Sequence, residues 1–439
     1  MTGRPPLSRR GLLRGSLFAA SAAALAPALS ACGSVAGAVS SGDDVEFWNL
    51  FSGGDGILMK QMLSGAEKRV PGLHPRSTVL EWGAAYYTKL AMASAGGRSP
   101  DIAVLHLSRL AGYAPGGLLD PWDMDLLAEF GVRTPDINPK VLALGRYQDE
   151  QYAVPLDTHP FVVFYDRKVM DRAGLLDSDG KLIDFGSPAH FLEAAEKLRR
   201  DTKKAGPVFG HANDLAQSWR MFWGLYSQTG AEFELTGRKP KVDRDTMVRV
   251  VDFMKKLTAP DCRTMDYPAA IAAFTTGGSP MIFSGEWETP AFRSASALDL
   301  GAAPFPTLFG RPATQADSHT FVLPHQDDPD PARRRSAHRL AAELLKGSLT
   351  WARAGHIPAY LPVVRSGQYA DLDPQSSYAP AAEAPALEPP AWFTGAGSDF
   401  QARMCQAMQS ALTGSATADR TVTKMLSEIE FFLSQPNPA

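Results

Sequence analysis

Four of the nine histidines stand where runs of secondary structure should begin or end. His106 closes an apolar run, His159 lies in a Pro-bracketed turn, His319 precedes a strand-like run, and His356 follows Gly355. Ligand crevices in open α/β sheets form at strand ends, so imidazoles there are candidate hydrogen-bonding groups for a bound molecule. A lone histidine is more often structural; four at element ends are a pattern. No two have the helical or hairpin spacing of metal ligands, so no metal site is expected. Tryptophans show a similar placement. Of eight, Trp82, Trp287 and Trp392 (beside Phe393) stand next to glycine or polar residues at run ends, and Trp219 and Trp223 lie near a helix start after Asn213-Asp214. Such rings can hold the apolar CH face of a sugar while amides, imidazoles and carboxylates hold its hydroxyls. Taken singly, a tryptophan more often packs in a core, and Trp48, in mid-strand, is assigned there. Glycoside hydrolysis would need two carboxylates across the bond. Asp157 and Glu286 could form such a pair, but so could many others in 439 residues. No GxSxG, P-loop, HExxH or CxxC is present, and the Gly33–Gly37 run does not fit a dinucleotide fingerprint. The residues point to binding rather than catalysis, with no cofactor.

The elements that must position these residues belong to an ordinary globular chain: 44% hydrophobic and 21% charged, a length for two or three domains. The formal net charge is -3, which leaves no electrostatic footprint for nucleic acid. Arg4, Arg9, Arg10 and Arg14 precede an apolar run, Leu12 to Leu29, that is interrupted and short for a membrane span. It reads as a signal peptide over 1–31, and Ser8-Arg9-Arg10-Gly11-Leu12-Leu13 resembles a twin-arginine signal. Leu29-Ser30-Ala31-Cys32 resembles a bacterial lipobox. Cys32 is then the lipidated first residue of the mature protein, held at the membrane by its acyl chains, with a small-residue tether over 32–44. The remaining cysteines, Cys262 and Cys405, could pair or stand apart, and the sequence leaves both open.

From Val45 onward, short apolar runs alternate with amphipathic stretches, which argues for βαβ units. Strands are predicted at Val45–Leu50, Ser77–Trp82, Asp101–Leu105, Met281–Phe283 and Thr320–Leu323. Helices are predicted from Ala84 to Gly96-Gly97, after Ser187-Pro188, around Met247–Leu257, around Ala337–Leu345, and at the C-terminus around Val422–Leu433. Gln151–Asp166, two extended runs about a Pro-bracketed turn, suits a crossing between domains. Pro374–Pro390 reads as loop or very short helices.

The order of short motifs resembles that of bacterial extracellular solute-binding proteins, the ligand-capturing subunits of ABC importers, in their maltose-binding-protein-like carbohydrate branch. The likeness rests on Val45-Glu46-Phe47-Trp48 before a Gly-rich loop, Ser99-Pro100-Asp101-Ile102, Gly117-Leu118-Leu119-Asp120-Pro121-Trp122, Tyr152-Ala153-Val154-Pro155, Phe164-Tyr165-Asp166, Phe274-Thr275-Thr276-Gly277-Gly278, Gly285-Glu286-Trp287, Gly301 to Pro306 and Gly355-His356-Ile357-Pro358. It implies an α/β, two-lobed periplasmic-binding-protein-like fold of type II, with the ligand cleft between lobes joined by a hinge that closes on the solute. The implied lobes are 45–157 with 320–358, and 160–318 with 360–439. Carried over by position, the cleft aromatics are Tyr86, Trp219, Trp287 and Trp392. The polar contacts are Asp55, His106, Asp157, His159, Gln217, Glu286, His319 and His356. The implied partners are a carbohydrate, most simply a di- or oligosaccharide, and the permease subunits of an importer. The protein is expected to be monomeric, outside the cytoplasm, and anchored at Cys32. A glycerophosphodiester or amino sugar bound the same way, a secreted glycosidase, and a surface lipoprotein with a protein or cell-wall partner are the alternatives.

Overall fold

The structure, a computed structural model, describes residues 44–259 and 264–437. The expected signal peptide, Cys32, the tether up to residue 43, and Cys262 lie outside the described residues. Cys405 is buried, but its pairing with Cys262 lies outside them too.

Two six-stranded sheets organise the chain. The first contains β1 (Asp44–Asn49), β2 (His74–Val79), β3 (Ile102–His106), β4 (Leu119–Asp120) and β5 (Ala153–Pro155). The second contains β6 (Asp157–Asp166), β7 (Met281–Gly285), β8 (Leu300–Pro304) and β9 (Thr314–Asp317). Then β10 (His319–Pro324) returns to the first sheet, while β11 (Ile357–Pro358) and β12 (Pro385–Ala386) join the second. In the first sheet β1 pairs in parallel with β2 and β3, as βαβ units require, and β10 lies antiparallel to β3. β3 is buried along its length between β1 and β10, which is why its sequence is apolar without alternation. The second sheet is built on the ten-residue β6, which pairs antiparallel with β7, β8, β9 and β11 in turn.

The helices follow their apolar periodicity. Helix Pro331–Lys346 buries Ala337, Leu340, Ala341, Leu344 and Leu345. Helix Arg244–Thr258 buries Met247, Val250, Val251, Met254 and Leu257. Ser187 caps helix Pro188–Thr202 by accepting from the His190 N–H. One predicted strand is displaced. The second runs His74–Val79 rather than Ser77–Trp82, with Pro75 inside it. It pairs only with β1, and an edge strand has no partner for the N–H that proline lacks. Trp82 is thereby released from the sheet into the turn before helix Ala84–Ala95.

The interior is divided in the same way. One cluster of buried side chains runs from Val45 to Leu156 and from Phe321 to Ala359, and two others draw on Phe161–Phe432. The molecule is two-lobed and α/β, with mixed sheets. The chain passes between sheets at Leu156–Asp157 and again at Ser318. Backbone hydrogen bonds tie these passages side by side: Leu156 N–H donates to His319 O (2.8 Å), Ala359 N–H to Leu156 O (2.9 Å), and Leu107 N–H to Ser318 O (2.9 Å).

Candidate functional site

Bundling these passages places their end residues together. His106 ends β3, His159 is the third residue of β6, His319 opens β10, and His356 immediately precedes β11. Segments far apart in sequence thus form one imidazole cluster. Ring centroids lie 4.2 Å apart for His159–His319, 4.6 Å for His106–His319, 5.1 Å for His106–His159 and 5.3 Å for His319–His356. All four are buried.

Asp157 sits within the cluster and organises it. Its carboxylate receives His159 Nδ1 (3.0 Å), His319 Nδ1 (2.7 Å), the His319 backbone N–H (2.8 Å) and Trp351 Nε1 (2.6 Å). Burial alone would raise its pKa, but His319 and His159 hold it well below the usual carboxylate range. Burial, aided by His319, pushes His159 down to about 3, and burial likewise lowers His106, whose Nδ1 pairs with the Tyr87 hydroxyl at 2.7 Å. His356 is different. Burial opposes its charge, yet Asp55 and Glu286 raise its pKa well above the usual value, with Nε2 3.2 Å from Asp55 Oδ1 and Nδ1 2.8 Å from Glu286 Oε1. Burial pushes Glu286 up to about 7. Asp157→Asn presents an amide N–H2 where only donors point, so it is expected to cost about 3–5 kcal/mol of stability. Denaturant unfolding of the purified variant checks this, and a loss below about 1 kcal/mol would show that the cluster does not depend on that carboxylate.

In front of the cluster lies a cavity of about 610 Å³, within the range of small-molecule sites. One wall is Leu50–Asp55, Trp82 and His106, from around the first sheet. The facing wall is Asn213–Gln217, Arg220, Tyr267 and Trp287–Glu288, from around the second. His159, His319 and His356 also line the cavity.

Trp287 is held by local geometry. Its ring folds back over Gly285, where any Cβ would overlap it. Its Nε1 donates to the Tyr267 hydroxyl (3.0 Å), which donates to Glu288 Oε1 (2.6 Å), and the Arg220 guanidinium stands 4.7 Å over the ring. Gly355 has a comparable role for His356. It adopts φ +115°, and a side chain there would overlap the Glu286 carbonyl.

Of the residues expected in the cleft, Asp55, His106, His159, Gln217, Trp287, His319 and His356 line this cavity. The structure places the others elsewhere. Tyr86 is fully buried, with its hydroxyl bonded to the Val104 and Trp48 carbonyls. The reason is helical spacing: Tyr86, Leu90 and Ser94 form the inward face of Ala84–Ala95. Trp219 is also fully buried. Its ring stacks on Phe222 (5.5 Å) and Trp223 (5.9 Å) and meets Phe400 edge-on (5.1 Å), because helix Gln217–Thr229 is covered on nearly every side. Trp392 packs against Phe393 and lines a separate, smaller depression with Arg109 and Phe431. Asp157 and Glu286 lie behind the imidazoles, both facing His356, rather than across the cavity from one another.

Some lining residues were not anticipated. Arg220 lies one helical turn beyond Gln217 and shares its face, so the periodicity of that helix could have indicated it. Glu288 directly follows the Trp287 motif. Phe51 and Tyr267 carried no distinguishing signal.

A further buried acid reports on pH. Glu388 accepts from Gly395 N–H (3.0 Å) and from the Gln401 side chain. Burial pushes its pKa to about 7, against about 4.3 in an unfolded chain. Between those values the native state holds more protons than the unfolded one, so this group's contribution to stability falls as pH rises from about 4.5 to 7. Glu388→Gln should remove that part of the decline in a series of thermal melts. An unchanged pH profile would refute the assignment.

A family model described as "Bacterial extracellular solute-binding protein" matches residues 57–345. A comparison with curated protein sequences returns no match. Among solved structures, the chain is similar to the GacH receptor of Streptomyces glaucescens, described unliganded and with acarbose (TM-score 0.73, 19% identity, 89% of this chain and 98% of that one). It is similar to UgpB from Mycobacterium tuberculosis in complex with glycerophosphocholine (TM-score 0.73, 17% identity, 89% and 98%). It also resembles maltose-bound MalE3 of T. maritima (TM-score 0.72, 17% identity, 89% and 99%).

Proposed function

The chain belongs to the bacterial extracellular solute-binding protein family, and on that premise we propose that it captures a carbohydrate, a di- or oligosaccharide, for an ABC importer. The observation that carries this reading is the cavity. Its two walls come from different sheets, and it combines Trp82, Trp287, Phe51 and Tyr267 with hydrogen-bonding groups of both kinds. The rings offer flat apolar surfaces for sugar CH faces, while Asp55, Gln217, Glu288 and Arg220 offer acceptors and donors for hydroxyls. Acarbose and maltose, the ligands of two similar structures, support this chemistry. Asp157 and Glu286 lie behind the imidazoles rather than across the cavity from one another, which supports binding over hydrolysis.

The proposal extends to organisation. The lobes are 45–157 with 320–358 and 160–318 with 360–439. They close about the passages near Asp157 and Ser318, and closure presents a surface for the permease subunits. The mature protein acts as a monomer outside the cytoplasm, held by a lipid on Cys32. No helix among the described residues is long and apolar enough to cross a membrane, so in this reading the lipid does the anchoring. The test is a thermal-shift screen against mono-, di- and oligosaccharides and glycerophosphodiesters. A saccharide at 100 times its dissociation constant should add about 2.7 kcal/mol and be recovered unchanged. A shift with glycerophosphodiesters alone, or breakdown of the sugar, would overturn the reading.

A further inference from the structure

The inner side of the histidine cluster carries more than hydrogen bonds to a solute. Asp157, His159, His319 and His356 each offer one ligand atom, and these four atoms all lie within 4.8 Å of one another. They come from strands β6 and β10 and from the residue before β11, and all four are buried. Three imidazoles with one carboxylate make a donor set suited to Zn²⁺, with related first-row ions as competitors.

A second observation concerns atoms left without partners. Both ring nitrogens of His356 and both carboxylate oxygens of Glu286 are closed off from solvent; His356 meets Asp55 and Glu286 only as close charged contacts outside hydrogen-bonding geometry, and Glu286 Oε2 has no partner. Buried polar atoms are almost always satisfied, and exceptions call for an unseen water or ion. Here they sit beside the four-residue group: His356 Nδ1 is 3.5 Å from Asp157 Oδ2 and 2.8 Å from Glu286 Oε1. Three carboxylates, from Asp55, Asp157 and Glu286, converge on this one imidazole. Such an excess of acid favours a cation among them.

The surroundings are those of a held site. Trp351 Nε1 and the His319 backbone N–H fix the Asp157 carboxylate. The Trp351 indole stacks on the His356 ring at 4.3 Å and 4°, and Asp55 faces the His356 nitrogen opposite Asp157. Groups of this kind orient metal ligands from behind. Since His159, His319 and His356 also line the cavity, an ion has a way in from the cleft.

We propose that Asp157, His159, His319 and His356 form a binding site for one divalent transition-metal ion of the imidazole-preferring class at the floor of the cavity. This site is independent of whether the transported solute is a sugar, so it goes beyond the functional reading above.

The test uses the untagged, chelator-treated full chain. ZnCl2 is titrated calorimetrically, and CoCl2 is added as a spectroscopic probe. The expected result is one Zn²⁺ per chain, and a visible Co²⁺ spectrum of a low-symmetry nitrogen and oxygen site that Zn²⁺ quenches. His319→Gln and His356→Gln, from separate segments of the chain, should each lose about 100-fold or more in Zn²⁺ affinity. His74→Gln, at an exposed position, should lose nothing. Failure of the wild-type chain to bind Zn²⁺, or binding that survives both cluster variants, overturns the proposal. If either variant does not fold, the wild-type stoichiometry and Co²⁺ spectrum still decide it. Sugar binding that persists with chelator present would leave the transport reading intact while the metal site stood or fell alone.

Discussion

Trp287→Ala is expected to weaken solute binding by about 30-fold, the effect of losing roughly 2 kcal/mol at a central aromatic contact, while the unliganded protein melts close to the wild-type temperature. Trp287 lines the cavity from the end of β7. Two consequences of its removal add together. The apolar platform disappears, and the Arg220 guanidinium loses the ring it stands over, so a donor that was held in place becomes mobile. The fold should be spared because the ring rests over the Gly285 backbone and bonds outward to Tyr267, with no place in the three buried clusters. Calorimetric titration with the solute found by thermal shift, beside a melt of the unliganded variant, checks both halves. Unchanged affinity would remove Trp287 from the site and with it the central feature of the proposed recognition.

Trp219→Ala should behave in the opposite way, costing about 3–5 kcal/mol of stability. Its indole is fully buried between Phe222, Trp223 and Phe400, with Phe233 also at its edge. Truncation leaves a cavity that these rigid neighbours cannot readily fill. Any effect on binding would be secondary, passed on through Gln217 and Arg220 of the same helix. Urea unfolding measures the loss. A variant of near-native stability with impaired binding would instead place Trp219 in the cleft. The contrast with Trp287 is informative because both tryptophans look alike by local sequence, near glycine or polar residues at the edge of an element.

Much of the framework is legible in the chain. The alternation of apolar runs and amphipathic stretches locates β1, β3, β7 and β10 and the helices at Pro188–Thr202, Arg244–Thr258 and Pro331–Lys346. Periodicity is a one-dimensional record of which side of each element faces a core, so it can be read without knowing the partner. The second strand begins earlier than its apolar run indicates, because an edge strand tolerates Pro75. The ordered motifs likewise pointed to the solute-binding family.

The site was only half legible, and the reason is geometric. His106, His319 and His356 stand out by sequence as residues at element ends and lie at strand ends, whereas His159, expected in a turn, is the third residue of β6. The convergence of His159, His319 and His356 on Asp157 was decided by tertiary structure alone. It depends on the passages between the two sheets being hydrogen-bonded side by side, which sets residues 157 and 319 against each other across 162 positions of chain. The same holds for the tryptophans: which one packs inward and which faces solvent depends on what covers the helix or strand end, a property of neighbours distant in sequence. Local pattern therefore determined the elements, the family and the candidate residues. Only the tertiary structure decided that His159 and His319 share one carboxylate, through the bundled passages, and that Trp219 is core while Trp287 is wall, through what covers each element.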